Sequence, residues 1–91
     1  MFLGKVVGTV WATRKDENLV GMKFQIVKHV DLEYKVKDTF VVAVDTVQAG
    51  VGDIVLVVSG SSARQTTLTK NKPVDATIMA VVDKLDIVTQ V

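Results

Sequence analysis

One residue in three branches at Cβ: the 91 residues include 20 Val, 9 Thr and 4 Ile. Branching stiffens χ1, which costs a little in a helix and suits the pleated surface of a strand. With only 1 Pro to interrupt strands, the composition is all-β. At this length the chain builds one core, and residues 1–91 are expected to form a single domain.

Alternation and turn residues divide the chain into five strands. The first is expected over 5–15, with Val6, Gly8, Val10 and Ala12 on one face and Val7, Thr9, Trp11 and Thr13 on the other. Gly8 inside it marks a bend or a close backbone approach. Asp16–Asn18 reads as a charged turn. A second strand follows over 19–30, with Met22, Phe24 and Ile26 set inward against Lys23, Gln25 and His29. Residues 31–38 read as a loop or hairpin tip, 40–44 as a short third strand, and 45–52 as a glycine-bearing connection. A fourth strand covers 53–59. Gly60–Gln65 reads as a short helical turn in which Ser61 or Ser62 serves as cap. A fifth strand covers 76–82, followed by an apolar segment over 85–88. Five strands and one helical turn fit a small OB-like barrel, closed or nearly so.

A small barrel is expected to be apolar inside and polar outside. Residues 53–58 are apolar on both faces, and 76–82 partly so. One short chain has no second layer with which to cover them. Copies of the same chain are the simplest cover, which predicts a homo-oligomer.

Chemistry is sparse. With no Cys there is neither a disulfide framework nor a thiolate, and a single His supplies no imidazole pair. The ten carboxylates are scattered through turns and strand ends, with no pair at a catalytic spacing and no cation-binding loop. We therefore expect no enzyme activity, metal or cofactor. Net charge is +1, five aromatics are dispersed, and no apolar run is long enough to span a membrane. A barrel module binding single-stranded nucleic acid or another polyanion would need stacking aromatics along a basic groove, so this alternative ranks second. No nucleic acid or membrane partner is expected.

Two polar stretches remain. Ala49-Gly50-Val51-Gly52 lacks the Gly-Lys-Ser/Thr end of a phosphate loop and precedes a strand. It fits a tight turn, or a loop packed closely around a symmetry axis. Ser59-Gly60-Ser61-Ser62-Ala63-Arg64 is the densest polar motif; Ala63 replaces the second glycine of a hydrolase elbow, so Ser61 is not a nucleophile. Its serines suit a capped turn more than an anion site, and Arg64 offers a planar fork across an interface.

Taken in order, several stretches resemble a known family. They are Gly4-Lys5-Val6-Val7-Gly8-Thr9-Val10, then Leu19-Val20-Gly21-Met22-Lys23-Phe24, Ala43 to Gly52, Val57 to Gln65, and Pro73-Val74-Asp75-Ala76. The family is the vertex proteins of bacterial microcompartment shells, the pentameric shell proteins of carboxysomes and of propanediol- and ethanolamine-utilising compartments. Gln48 departs from its pattern, in which a small residue, usually Gly, precedes Ala49-Gly50. The resemblance implies a cyclic homopentamer in the bacterial cytoplasm that closes the fivefold corners of a shell otherwise tiled by hexameric or pseudohexameric proteins. It implies an axial opening, with Ala49, Gly50 and Gly52 beside it. Ser61, Ser62 and Arg64 are expected on the flank that meets neighbouring tiles.

Overall fold

The computed structural model describes residues 1–89. Five strands, β1 (Phe2–Val10), β2 (Phe24–Val30), β3 (Val36–Asp45), β4 (Ile54–Ser59) and β5 (Ala76–Val81), close into a barrel in the order β1-β2-β3-β5-β4. β1, β2 and β3 form an antiparallel meander; β4 returns to pair with β1, and β5 fits between β4 and β3. The one parallel seam joins β3 to β5 at Val44/Thr77 and Asp45/Ile78. Two 3₁₀ turns, Glu17–Leu19 and Gly60–Arg64, complete the regular structure. This is the five-stranded OB-like barrel expected from the sequence.

The core is narrow. Every buried hydrophobic residue is Val, Ala or Ile, with Val6, Val27, Ala43, Val55, Val57, Ala76 and Ile78 at its centre and Phe2 and Val41 packed against it. Burying such side chains contributes roughly 1.5–3 kcal/mol each for the larger ones.

This narrowness reverses the expected faces of β2. Gln25 and Val27 point inward, while Phe24 and Ile26 lie on the outer surface, half-buried. An amide at the end of a slim stem fits inside when all its polar atoms are paired; a phenyl ring does not. In β1 an extra residue between Val6 and Gly8 shifts the register against β2. Val6 therefore points inward before the bulge and Thr9 after it, and no single alternation holds across the strand. The expected bend at Gly8 lies at this bulge.

Strand limits differ as well. β1 covers 2–10 rather than 5–15, and residues 19–23 precede β2 as a turn. β3 is twice its expected length because the tip is tighter than its polarity suggests. The Asp31 carboxylate accepts hydrogen bonds from the amides of Glu33 (2.8 Å) and Lys35 (3.0 Å), and the Asp31 amide donates to Lys35 O at 3.1 Å. These amides hold the Asp31 carboxyl below its usual pKa. Tyr34 takes the left-handed conformation (φ 64°) that the turn requires.

Gly4 is a packing requirement. A Cβ there would collide with the Val27 side chain and lie 2.9 Å from Lys28 O. At Gly8 it would meet only Ile26 Cδ1, at an ordinary 3.5 Å. Gly4→Ala is therefore expected to lower stability by about 1–3 kcal/mol, the usual cost of overpacking. Gly8→Ala should stay within about 1 kcal/mol of the parent. Urea unfolding of the two variants side by side measures the difference.

Candidate assembly surfaces

The connection after β3 is tied down from several sides. Asp45 N donates to Lys23 O (2.9 Å), Asp45 Oδ1 accepts from Val47 N (3.0 Å), and Thr46 Oγ1 donates to Ile78 O (2.7 Å). Gly50 N donates to Asp53 Oδ2 (2.8 Å), Asp53 N returns to Gly50 O (3.0 Å), and Gly52 N reaches Val6 O on β1 (2.8 Å). Gln48 and Gly52 are left-handed, at φ 59° and 95°. Gln48 thus occupies a conformation that glycine adopts freely and that costs other residues about 1–2 kcal/mol.

Gln25 controls this loop from inside the barrel. Its Nε2 donates to Ala49 O (2.9 Å) and Asp45 Oδ2 (3.3 Å), while its Oε1 accepts from Thr9 Oγ1 (2.8 Å). The residue is 1% exposed. Alternation assigned it to the polar outer face. The available signal was its ladder partner Thr9, a second polar residue that the bulge turns inward. Ala49 joins the buried core with its side chain, while Gly50 and Gly52 are exposed at the loop surface.

The Gly60–Arg64 turn is fixed differently from the expected capping. Ser61 and Ser62 fall inside the turn and are exposed; its N-cap is Ser59, whose hydroxyl makes no capping bond. The turn is held by Ala63 O, which accepts from both Thr69 Oγ1 and Thr77 Oγ1 at 2.7 Å. Gly60 N adds a bond to Asp75 O at 2.8 Å. Arg64 donates through Nη1 to Val74 O (2.9 Å), so part of its fork is used within the chain. Ser61, Arg64, Gln65, Lys70 and Asn71 line one surface hollow that carries two cations and no acid.

Outside the barrel an apolar strip runs along β2 and β3. Ile26 pairs with Val42 and Phe40 lies beside Lys28, while Val44, beside Phe24, is covered. Phe40 is 60% exposed and Val42 44%. Met79 and Val81 are exposed on β5, and the outward Ile54 and Leu56 of β4 are half-buried. The strands read as apolar on both faces do bury one face and leave the other uncovered or half-covered.

Among the described residues His29 meets no carboxylate. Its ring lies against Phe2, with centroids 4.2 Å apart, and Nδ1 is 2.9 Å from Thr39 Oγ1. Among the described residues no three His, Asp or Glu side chains come together as a metal-binding set.

Removing the Gln25 amide strands one carboxylate oxygen of Asp45 (Oδ2) and the carbonyl of Ala49 in the barrel. Gln25→Leu should cost about 2–3 kcal/mol, in line with unpaired buried acceptors. It should also speed hydrogen exchange at Val47, Gln48 and Gly50, followed residue by residue by NMR.

Known proteins share this architecture. The family model described as "Ethanolamine utilisation protein EutN/carboxysome" matches residues 1–83. The microcompartment shell vertex protein GrpN of Rhodospirillum rubrum is 43% identical over 88 residues, covering 97% of this chain and 99% of GrpN. The carboxysome shell vertex protein CcmL of Synechococcus elongatus is 38% identical, covering 96% of this chain and 88% of CcmL. The solved structure of CcmL from Gloeobacter violaceus superposes with a TM-score of 0.91 at 34% identity, covering 96% of this chain and 90% of that one. The structure titled as the GrpN pentameric microcompartment shell protein from Rhodospirillum rubrum gives 0.88 at 42% identity, covering 97% of this chain and 100% of that one. The chain belongs to the EutN/CcmL family, whose named members are the vertex proteins of microcompartment shells.

Proposed function

We propose that this chain is a structural shell protein: a single-domain subunit, residues 1–91, that assembles as a cyclic homopentamer and closes the fivefold vertices of a bacterial microcompartment in the cytoplasm. The observation that carries this reading is the uncovered apolar exterior of β2, β3 and β5 in a chain of this family. An exposed strip of Phe and Val costs solubility unless another surface covers it. In a ring each copy covers the next, and the same patch pair repeats around the axis. The function is assembly rather than catalysis, and the fold's aromatics serve contact rather than base stacking.

Within this reading the loop holding Gly50 and Gly52 faces the fivefold axis. Five copies crowd there, and residues with little or no side chain let backbones approach. Ala49 acts from the inside, packing the loop onto the core. Ser61, Ser62 and Arg64 lie on the flank that meets hexameric or pseudohexameric tiles. There the hydroxyls and the remaining guanidinium donors are offered to carbonyls or carboxylates across the joint.

Native mass spectrometry at micromolar concentration should find one assembly of about five times 9.9 kDa; a monomer, dimer or hexamer alone would refute the pentamer. Arg64→Ala should leave the pentamer intact and lower its incorporation when co-expressed with hexameric shell proteins. The expected loss is about 1–3 kcal/mol per joint, the range for a hydrogen bond to a charged group. Arg64→Lys should restore little, because an ammonium cannot reproduce the fork. Dissociation of Arg64→Ala to monomers would move the residue from the flank to the subunit interface.

A further inference from the structure

Each protomer leaves two stretches of backbone unpaired. The first is one edge of β3. β2 pairs with β3 from Val36 to Val44, but β5 meets β3 only at Val44 and Asp45. Among the described residues no backbone bond outside the β2 pairing reaches Val36–Val42. Such an edge is a row of donors and acceptors that templates another strand. The second is the segment 83–89, directly after Val82. Val82 N donates to Ile54 O at 2.7 Å, and from Asp83 to Thr89 no regular structure is formed. Ile87 and Val88 in this segment are exposed, Val88 by 88%.

Direction decides which copy can join the two. β5 runs parallel to β3 and starts beside Val44, so its continuation moves past Asp45, away from Val36. Reaching its own edge would require a reversal, which makes the pairing antiparallel. The side chains favour the parallel alternative. Placing Val82 beside Val36 sets Asp83 beside Lys37, Lys84 beside Asp38, Ile87 beside Val41 and Val88 beside Val42. No antiparallel register gives both Lys37 and Asp38 an opposite charge: the one that joins Lys37 to Asp86 puts Asp38 against Leu85. Opposite charges across neighbouring strands stabilise a sheet and like charges oppose it.

Resting on the pentameric reading above, we propose that residues 83–89 of one protomer add as a parallel strand to the Val36–Val42 edge of its neighbour. The added strand satisfies the edge through main-chain bonds, and its register is selected by the two charge pairs. Each subunit gives one arm and receives one, so in a pentamer the exchange closes on itself around the ring.

The natural absence of Cys makes the contact directly readable. Adjacent strands are about 4.8 Å apart, within the Cα spacing that a disulfide accepts. Lys37→Cys combined with Asp83→Cys should, after mild oxidation, give a series of covalent multimers up to the pentamer on a non-reducing denaturing gel. Lys37→Cys combined with Lys84→Cys should give none, because those side chains leave the strands on opposite faces. Val41→Cys with Ile87→Cys reads the same register without touching a charge, and it decides the matter if the first pair fails to assemble. Light scattering on the reduced proteins separates the two levels. Pentamers that yield no covalent series, or only a cross-linked single chain, overturn the strand exchange and leave the pentamer standing. Monomers from the unaltered chain overturn both.

Discussion

The inside of a five-stranded barrel is small, and most of this structure follows from what it cannot hold. Its buried apolar residues are Val, Ala and one Ile, with no aromatic ring and no Met or Leu among them. Larger side chains are displaced outward, where Phe24, Ile26, Phe40 and Met79 form the surface of β2, β3 and β5. The barrel therefore carries more apolar area than it can bury. At roughly 25 cal/mol per Å² removed from water, that surplus is a driving force for association. Folding and assembly draw on the same strands, one face each.

The interior also tolerates one polar cluster, on strict terms. Thr9, Gln25 and Asp45 share a chain of hydrogen bonds that ends on Ala49 O, and among the described residues no buried side-chain nitrogen or oxygen lacks a partner. Buried polar groups of this kind specify geometry because any misplacement leaves one of them unpaired. Here the geometry specified is that of the loop carrying Gly50 and Gly52. A surface loop is thus positioned by core residues.

Much of this was legible in the residues and some of it was not. The β-branched composition and turn residues were enough for five strands in a barrel, and the doubly apolar strands for an exterior left partly uncovered. Periodicity failed on β2 because hydrophobicity and size point opposite ways there: Phe24 is the more apolar residue and Gln25 the narrower one. It failed on β1 because the bulge at Val6–Gly8 changes the parity halfway along. The length of β3 was hidden by exposure, since Lys37, Asp38 and Thr39 look like loop residues but are strand residues outside the core. The left-handed Tyr34 at the tip carries no glycine or asparagine signal. The Gly60–Arg64 motif was found, although its supports, Thr69 and Thr77, lie downstream and become visible only when Ala63 O is seen to accept from both.

The parallel seam has a consequence for the order in which the molecule comes into being. Only two residue pairs join β3 to β5, and they link segments more than thirty positions apart, Val44 to Thr77 and Asp45 to Ile78. The meander and the β1–β4 pairing involve residues made earlier in synthesis, but Ala76 and Ile78 complete the core and come last. A sheet of β1 to β4 alone would lack part of its inner lining, because Ala76 and Ile78 belong to the core cluster. The β1–β4 pairs span still more, from 49 positions at Lys5/Ile54 to 55 at Phe2/Val57, and contacts over such separations form slowly because loop entropy is lost before they contribute. Closure of the barrel thus waits on β5, whose Ala76 and Ile78 complete the core and whose two pairs with β3 make the final seam.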